Sequence, residues 1–235
     1  MVNHSVLARV GFVITASLLL AGLVAAPAGA TAGKTKKSFF AGYSATSATA
    51  TSVQATITLP TYTCKKGENL GPGIGAFDTT QNAWNQEFIY MACVKSGKKY
   101  VESYGGTAIE VDGLYTNPPL AMSAGDSIQF TTTCGGSGTV STIEDLNTTQ
   151  SVSHSSLNPS SCTDAGAGDL GITGKGPGGQ SNLPKFGAID YSNVTVNGSP
   201  IGSFTPDSSN YFEGKKNVIT TGAISGGTDF VTTQG

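Results

Sequence analysis

The sequence is poor in the residues on which several common functions depend. Arg9 is its only arginine, His4 and His154 are its only histidines, and Trp84 is its only tryptophan. Charged residues make up 12% of the 235 residues, and the net charge is −2. The sequence has no basic stripe that could follow a nucleic-acid backbone. If the first thirty residues are removed as a signal peptide, His154 is the one histidine that remains. A single histidine gives little support to a serine–histidine triad and cannot form a histidine-rich metal site. The composition therefore predicts no nucleic-acid partner, no metal and no cofactor.

The first thirty residues have the pattern of a secretory signal peptide. An uncharged run over 10–26 is followed by small residues that offer cleavage after Ala28, Ala30 or Ala32. The run is nearly long enough to span a bilayer, so a retained anchor is the alternative. We expect cleavage, because no basic stop-transfer cluster follows directly.

The remaining chain has the length of one domain. We expect a signal peptide at 1–30, a flexible mature N-terminus at 31–38 and a single domain at 39–235. The product would be a secreted, extracellular monomer with no membrane attachment after cleavage.

Four cysteines remain in the mature chain, and they are Cys64, Cys93, Cys134 and Cys162. An even number in an exported chain suggests two disulfides, for which three pairings are possible. We expect the sequential pairing, Cys64 with Cys93 and Cys134 with Cys162. No two cysteines have CxxC spacing, so a metal role is weakly supported.

Apolar residues of the mature chain recur with a period of two, which is typical of strands. Glycine-rich turns separate many short segments, which favours an antiparallel sandwich or barrel. The candidate strands lie at 39–46, 50–60, 73–78, 85–93, 98–106, 108–111, 126–134, 138–146, 150–155, 169–173, 186–198 and 217–225.

One candidate strand carries an amide within a row of aromatic residues. A period of two places Trp84, Gln86, Phe88 and Tyr90 on one face. Tyr100, Glu102 and Tyr104 would share a face of the next strand. Such faces commonly belong to a core, but they can also form a cleft that holds a ligand through a few embedded polar groups.

The order of these segments resembles that of the glutamic peptidases, or eqolisins. The resemblance covers about residues 39–204 through the series as a whole, and no single motif is specific. The matching segments are FFAGY at 39–43, TSVQATITLP at 51–60, IGAFD at 74–78, NQEFIYMAC at 85–93, KKYVESYGG at 98–106, MSAGDSIQFTTTC at 122–134, GTVSTIEDLNTTQSVSHS at 138–155 and LPKFGAIDYSNVTVNG at 183–198.

The resemblance implies an all-β fold, an antiparallel two-sheet β-sandwich of the concanavalin A-like jelly-roll type. It also implies a secreted, acid-acting endopeptidase. In that family a glutamate acts as general base on a water, and a glutamine orients the water and stabilises the oxyanion. The glutamine carries over to Gln86. The substrate-binding positions implied by the resemblance and the aromatic faces are Asp78, Trp84, Phe88, Tyr90, Tyr100, Glu102 and Tyr104.

The family's glutamate has no counterpart in the matching stretch, which is AGAGDLGIT at 165–173. Asp169 is the nearest carboxylate, and Gly168 occupies the position if the register moves by one. An aspartate is one methylene shorter, and a displacement of about 1 Å can reduce a rate about 100-fold. The family's tryptophans are also replaced, by Phe40 and Ile74 among others.

Three hypotheses follow for the function. The first is an acid-acting peptidase that uses Gln86 with a substitute carboxylate, Asp169 or else Glu102. The second is a catalytically inactive sandwich that binds a polypeptide or a glycan outside the cell. The third is a structural or cell-surface domain without a defined ligand.

Overall fold

The period-two pattern folds into antiparallel strands. The computed structural model describes residues 38–46, 49–78, 83–110, 113–116, 120–157, 161–173, 176–177, 182–213 and 216–235. The strands in these residues are β1 Phe40–Thr46, β2 Ser52–Thr58, β3 Tyr62–Thr63, β4 Asn69–Asp78, β5 Ala83–Ser96, β6 Lys99–Glu110, β7 Gly113–Thr116, β8 Ser127–Gly135, β9 Gly138–Asp145, β10 Gln150–Ser156, β11 Asp164–Leu170, β12 Ile172–Thr173, β13 Gly176–Pro177, β14 Lys185–Phe186, β15 Ala188–Val196, β16 Ser199–Pro200, β17 Asp207–Ser209, β18 Tyr211–Glu213, β19 Lys216–Thr221 and β20 Phe230–Gln234.

Two large sheets contain most of these strands. The seven-stranded sheet has the order β17-β1-β11-β4-β5-β6-β7. The nine-stranded sheet has the order β10-β9-β8-β2-β15-β20-β19-β18, with β16 paired to β15. Their neighbouring strands pair antiparallel, and the two sheets pack face to face as a sandwich, which confirms the predicted fold class.

The core lies between the two sheets. Each sheet contributes the side chains on its inner face, and the outer faces alternate with them along every strand. Tyr191 of β15 stacks on Phe230 of β20 at 4.6 Å between ring centroids, and Tyr43 of β1 meets Phe230 edge-on at 5.0 Å. Around these rings, β1 and β11 contribute small buried side chains, which are Ala41, Ala45, Ala165 and Ala167.

The structure differs from the sequence prediction at several strands. Strand β11 begins at Asp164, whereas the sequence predicts a strand only from residue 169, because glycine and alanine have low strand propensity. Pairing on both sides, with β1 and β4, outweighs that propensity. The predicted strands 98–106 and 108–111 form the single strand β6, and β20 was missed.

Both disulfides are present and both are sequential. Cys64 joins Cys93 of β5, and Cys134 of β8 joins Cys162 just before β11. The second bond therefore links the two sheets covalently. In the described part of the chain, no helix is long and apolar enough to cross a membrane.

Candidate functional site

Strand β5 is held to the opposite sheet through Asn85. The Asn85 Nδ2 donates to Oγ1 of Thr139 at 3.0 Å, and its Oδ1 accepts from Oγ of Ser141 at 2.9 Å. Ser141 also shares a hydrogen bond of 2.8 Å with Thr132. These buried bonds fix the inner face of β5, and side chains alternate along a strand, so Gln86 points outward.

Gln86 stands in an aromatic row on the outer face of the seven-stranded sheet. We use the term aromatic row for Trp84, Phe88 and Tyr90, which alternate with inward residues as the sequence predicts. Phe88 and Tyr90 form a small apolar cluster separate from the main core. The Gln86 side chain is only 8% exposed, so its amide is sheltered by these neighbours although it lies outside the sandwich.

A patch of glycines lies beside the aromatic row. We call it the glycine floor and define it as Gly42 of β1, Gly73 and Gly75 of β4, and Gly166 and Gly168 of β11. The register places Gly42 opposite Gly168, Gly168 opposite Gly73, and Gly166 opposite Gly75. Gly75 is in turn opposite Gln86, and Gly73 is opposite Phe88.

The glycine floor has no space for side chains. A Cβ atom at Gly73 or Gly168 would overlap with a carbonyl oxygen of the neighbouring strand, and one at Gly166 would lie 2.6 Å from the carbonyl oxygen of Tyr43. Real Cβ atoms essentially never approach that closely. These positions therefore require glycine, because any larger residue would force the backbone to shift.

Two phenylalanine rings lie over this floor. A Cβ at Gly168 would be 2.7 Å from the ring of Phe40, and a Cβ at Gly75 would overlap with the ring of Phe77. The cavity that remains between the rings and Gln86 has a volume of about 20 Å³. A cavity of that size holds roughly one water molecule.

Asp169 does not face Gln86. It lies between Gly168 and Leu170, which both line the outer cavity, so its own side chain points into the core. Asp169 is 0% exposed and accepts a hydrogen bond of 2.7 Å from the Tyr191 hydroxyl. Burial raises the pKa of Asp169 to about 7. The structure therefore does not bring Asp169 together with Gln86, and of the two alternatives Gly168 is the one on the face of Gln86.

The residues predicted on the next strand lie on the other side of the sheet from Gln86. Tyr100, Glu102 and Tyr104 share one face, as predicted, but Tyr104 is opposite Met91 of the inner face. Glu102 accepts from the backbone N–H of Tyr62 at 3.2 Å and from the Tyr104 hydroxyl at 3.4 Å. Burial, and then the Glu102 charge, raise the pKa of Tyr104 well above its usual value. The structure thus places Glu102 on the opposite face of the sheet from Gln86.

Asp78 also lies on the inner side of the seven-stranded sheet. It is opposite Ala83, is buried, and accepts a hydrogen bond of 2.6 Å from Ser161 Oγ. The structure therefore keeps Trp84, Phe88 and Tyr90 with Gln86 and separates Asp78 from them.

Asp164 is the acidic residue nearest to Gln86 on the outer face among the described residues, and the sequence prediction missed it. Asp164 is opposite Phe77 of β4, which is opposite Trp84 of β5. Gln86 lies two residues further along β5. Standard sheet spacings put the two Cα atoms about 12 Å apart. Asp164 accepts hydrogen bonds from Thr46 Oγ1 at 2.6 Å and Thr163 Oγ1 at 2.8 Å. A strand pattern extended back to residue 164 would have revealed that Asp164 shares the face of Gly166 and Gly168.

Fold and site together define a two-sheet antiparallel sandwich with a sheltered glutamine on its outer aromatic face. The model of the Peptidase A4 family matches residues 38–234, and the chain belongs to that family. This confirms the resemblance to the eqolisins. A comparison with curated protein sequences finds no match.

Solved structures of eqolisins share the fold. Scytalido-glutamic peptidase is 19% identical with a TM-score of 0.69, and the match covers 86% of this chain and 100% of that chain. SCP-B, an eqolisin, is 19% identical with a TM-score of 0.65 over the same shares. Aspergilloglutamic peptidase from Aspergillus niger is 21% identical with a TM-score of 0.58, over 72% of this chain and 99% of that chain.

Proposed function

We propose that this protein is an exported, polypeptide-binding member of the family that does not hydrolyse its ligand by the glutamine–carboxylate mechanism. The observation that carries the proposal is the pair of glycines, Gly166 and Gly168, at the positions of β11 that face Gln86 and Phe88 across β4. Two disulfides support export, because such bonds persist in oxidising compartments.

Hydrolysis by this mechanism needs a general base within hydrogen-bond reach of the water that the glutamine holds. Glycine supplies no carboxylate, and the backbone contacts at Gly166 and Gly168 leave no space for one. Asp164 is two strands away, already accepts two hydrogen bonds, and is separated from Gln86 by the Phe77 ring.

Binding needs only the groups that the outer face retains. The Gln86 amide offers one acceptor and two donors, which suits the backbone of an extended peptide. Trp84, Phe88 and Tyr90 offer apolar surface beside it. Related proteins support a peptide ligand, since SCP-B was solved in a complex with the tripeptide Ala-Ile-His and scytalido-glutamic peptidase with a peptide-based transition state analog.

The ligand segment is expected to be uncharged where it meets Gln86. The described lysines of β5 and β6, Lys95 and Lys99, lie at the end of those strands remote from Gln86, and the described acidic side chain nearest to Gln86 on the outer face, Asp164, is engaged by two threonine hydroxyls. Without a charged partner, affinity for a charged peptide side chain would not exceed that for an apolar one of similar size.

The first experiment tests hydrolysis. The purified mature protein is incubated with a denatured protein between about pH 2 and pH 5, where a carboxylate base of ordinary pKa would titrate. We expect no cleavage above that of a Gln86→Ala variant. Cleavage that disappears in both Gln86→Ala and Asp164→Asn would overturn the proposal and assign hydrolysis to that pair.

The second experiment tests binding. A peptide array and a glycan array are probed with the wild type, with Gln86→Ala and with Gln129→Ala. Gln129 is a matched control, because it lies on the outer face of the nine-stranded sheet. We expect peptide signals that fall at least about tenfold in Gln86→Ala, equivalent to one lost hydrogen bond of roughly 1.4 kcal/mol. Signals from glycans alone, or equal peptide signals from all three proteins, would contradict peptide binding through Gln86.

A further inference from the structure

A buried carboxyl group lies directly beneath the glycine floor. Asp169 is 0% exposed, and its chain neighbours Gly168 and Leu170 both line the outer cavity. Its Oδ1 accepts the Tyr191 hydroxyl at 2.7 Å. Its Oδ2 and the nearby Thr232 Oγ1 have no hydrogen-bond partner of good geometry among the described residues. The Oδ2 atom therefore lacks a well-formed hydrogen bond, although the nearby Thr232 hydroxyl offsets part of the cost of burial.

The same tyrosine connects the carboxyl group to the floor. The Tyr191 hydroxyl donates to Asp169 Oδ1 at 2.7 Å, and the backbone N–H of Gly73 lies close enough to the same hydroxyl to lower its pKa in part. Gly73 belongs to the glycine floor, Asp169 to β11 of the same sheet, and Tyr191 to β15 of the opposite sheet. The Tyr191 hydroxyl thus links floor strand β11 to the opposite sheet by a hydrogen bond and lies against floor strand β4 at Gly73.

We propose that Asp169, Tyr191 and Gly73 form a proton-dependent latch that holds the glycine floor against the nine-stranded sheet in acid and weakens it when Asp169 ionises. A protonated carboxyl group fits this site, because it removes the buried charge and supplies a donor for the unpaired oxygens. Only the effect on ligand binding rests on the proposed function, and the effect on the fold does not.

Among the described residues, no positive charge lies near Asp169 to hold it ionised. The lysines whose burial is described are all exposed, and the mature sequence has no arginine. The paired strands present Ala41 and Pro72 to it, and the opposite sheet presents Tyr191, Phe230 and Thr232. Among the described residues, titratable groups on the inner face of its sheet include Tyr43 of β1, Asp78 of β4, Glu87 of β5 and, three strands from β11, Glu102 and Tyr104 of β6.

The direction of the pH effect follows from the pKa of the folded state. Burial raises the pKa of Asp169 from 3.8 to about 7, and the hydroxyls of Thr232 and Tyr191 lower it only in part. Between these values the folded protein binds more protons than the unfolded chain, so stability falls as pH rises. The contribution is complete below pH 3.8 and is lost on passing through about pH 7. The full difference corresponds to a change on the order of 10²–10³ in the unfolding equilibrium constant.

The test compares urea unfolding of four proteins at several values between about pH 4 and pH 8, a window that spans the shift. In the wild type we expect the unfolding constant to rise on the order of 10²-fold or more across this window. Asp169→Asn keeps an acceptor for Tyr191 and cannot ionise, so it should lose most of this rise and exceed the wild type in stability at neutral pH. Tyr191→Phe should be less stable at every pH and keep the rise.

Asp164→Asn is the matched control, because Asp164 lies on the same strand but on the outer face. It should keep the wild-type pH dependence. An Asp169→Asn protein with the same rise as the wild type would overturn the latch. Should Asp169→Asn fail to fold, NMR titration of the wild-type Asp169 carboxyl decides: a midpoint above about pH 5 supports the latch, and a lower one overturns it.

Hydrogen exchange reports on the floor without any ligand. After correction for the intrinsic pH dependence of exchange, protection of the Gly73 amide should fall between acid and neutral pH in the wild type and stay constant in Asp169→Asn. A protection pattern that is the same in both proteins would contradict the coupling of latch and floor. This readout is independent of peptide binding, so failure of the proposed function leaves it interpretable.

Discussion

The two faces of the seven-stranded sheet differ in the partners that surround their polar side chains. The inner face buries Asn85 and Asp169, and each of them contacts a hydroxyl of the nine-stranded sheet. The outer face carries Gln86 beside the glycine floor, with rings in place of charged partners. The carboxyl group of Asp169 is therefore one residue out of phase with the outer face and contacts Tyr191 on the inner face.

This comparison shows why one residue of register decides the chemistry of a strand. Asp169 and Gly168 are adjacent in sequence, yet a period of two places one in the core and the other on the floor. A shift of one residue would exchange them, but it would also turn Ala165 and Ala167 outward and break the packing around Tyr43. The core thus fixes Asp169 on the inner face and Gly168 on the outer face.

The largest effect should come from adding a side chain to the floor. In Gly168→Ala the new Cβ would overlap with the Ala41 carbonyl oxygen and lie 2.7 Å from the Phe40 ring. We expect a loss of about 3 kcal/mol or more in the free energy of unfolding, measured by urea denaturation. Gly105→Ala is the control, since nothing lies within 4 Å of its Cβ position, and it should change stability by less than about 1 kcal/mol. Equal losses would show that the floor is not tightly packed.

A smaller effect is expected on the inner face. Asn85→Ala removes the hydrogen bonds to Thr139 and Ser141 in a buried network. We expect a loss of about 2–3 kcal/mol, because buried polar groups are then left without their partners. Thermal unfolding measures it against Thr131→Ala on the outer face of the nine-stranded sheet, which should stay within about 0.5 kcal/mol of the wild type. A neutral Asn85→Ala would mean that the network does not hold β5.

The smallest effect on stability should accompany a clear effect on binding. Trp84 is only half-buried, so Trp84→Ala should lower the free energy of unfolding by about 1 kcal/mol or less. Because Trp84 belongs to the aromatic row, its loss should weaken peptide binding in calorimetry. Tyr100→Ala removes a half-buried aromatic residue on the other side of the sheet and should leave binding unchanged. Equal affinities of the two variants would remove the aromatic row from the site.

The alternation in β5 could be predicted because it is local. Trp84, Gln86, Phe88 and Tyr90 occupy one face wherever the strand pairs, and the two-sheet fold follows from many such segments. The floor could not be predicted in the same way. Its glycines come from β1, β4 and β11, which are far apart in sequence, and a run of glycine and alanine has no strand signal of its own. Long-range pairing makes 164–168 part of a strand and thereby reveals Asp164.

The sequence by itself determined the all-β class, the four cysteines available for two disulfides and the aromatic residues that share a face with Gln86. Composition and a period of two do not depend on distant contacts. Only the tertiary structure decided which face of each strand is buried. That choice depends on how two sheets exclude water together, and it placed Asp169 against Tyr191 and left Gly166 and Gly168 opposite the row of Gln86.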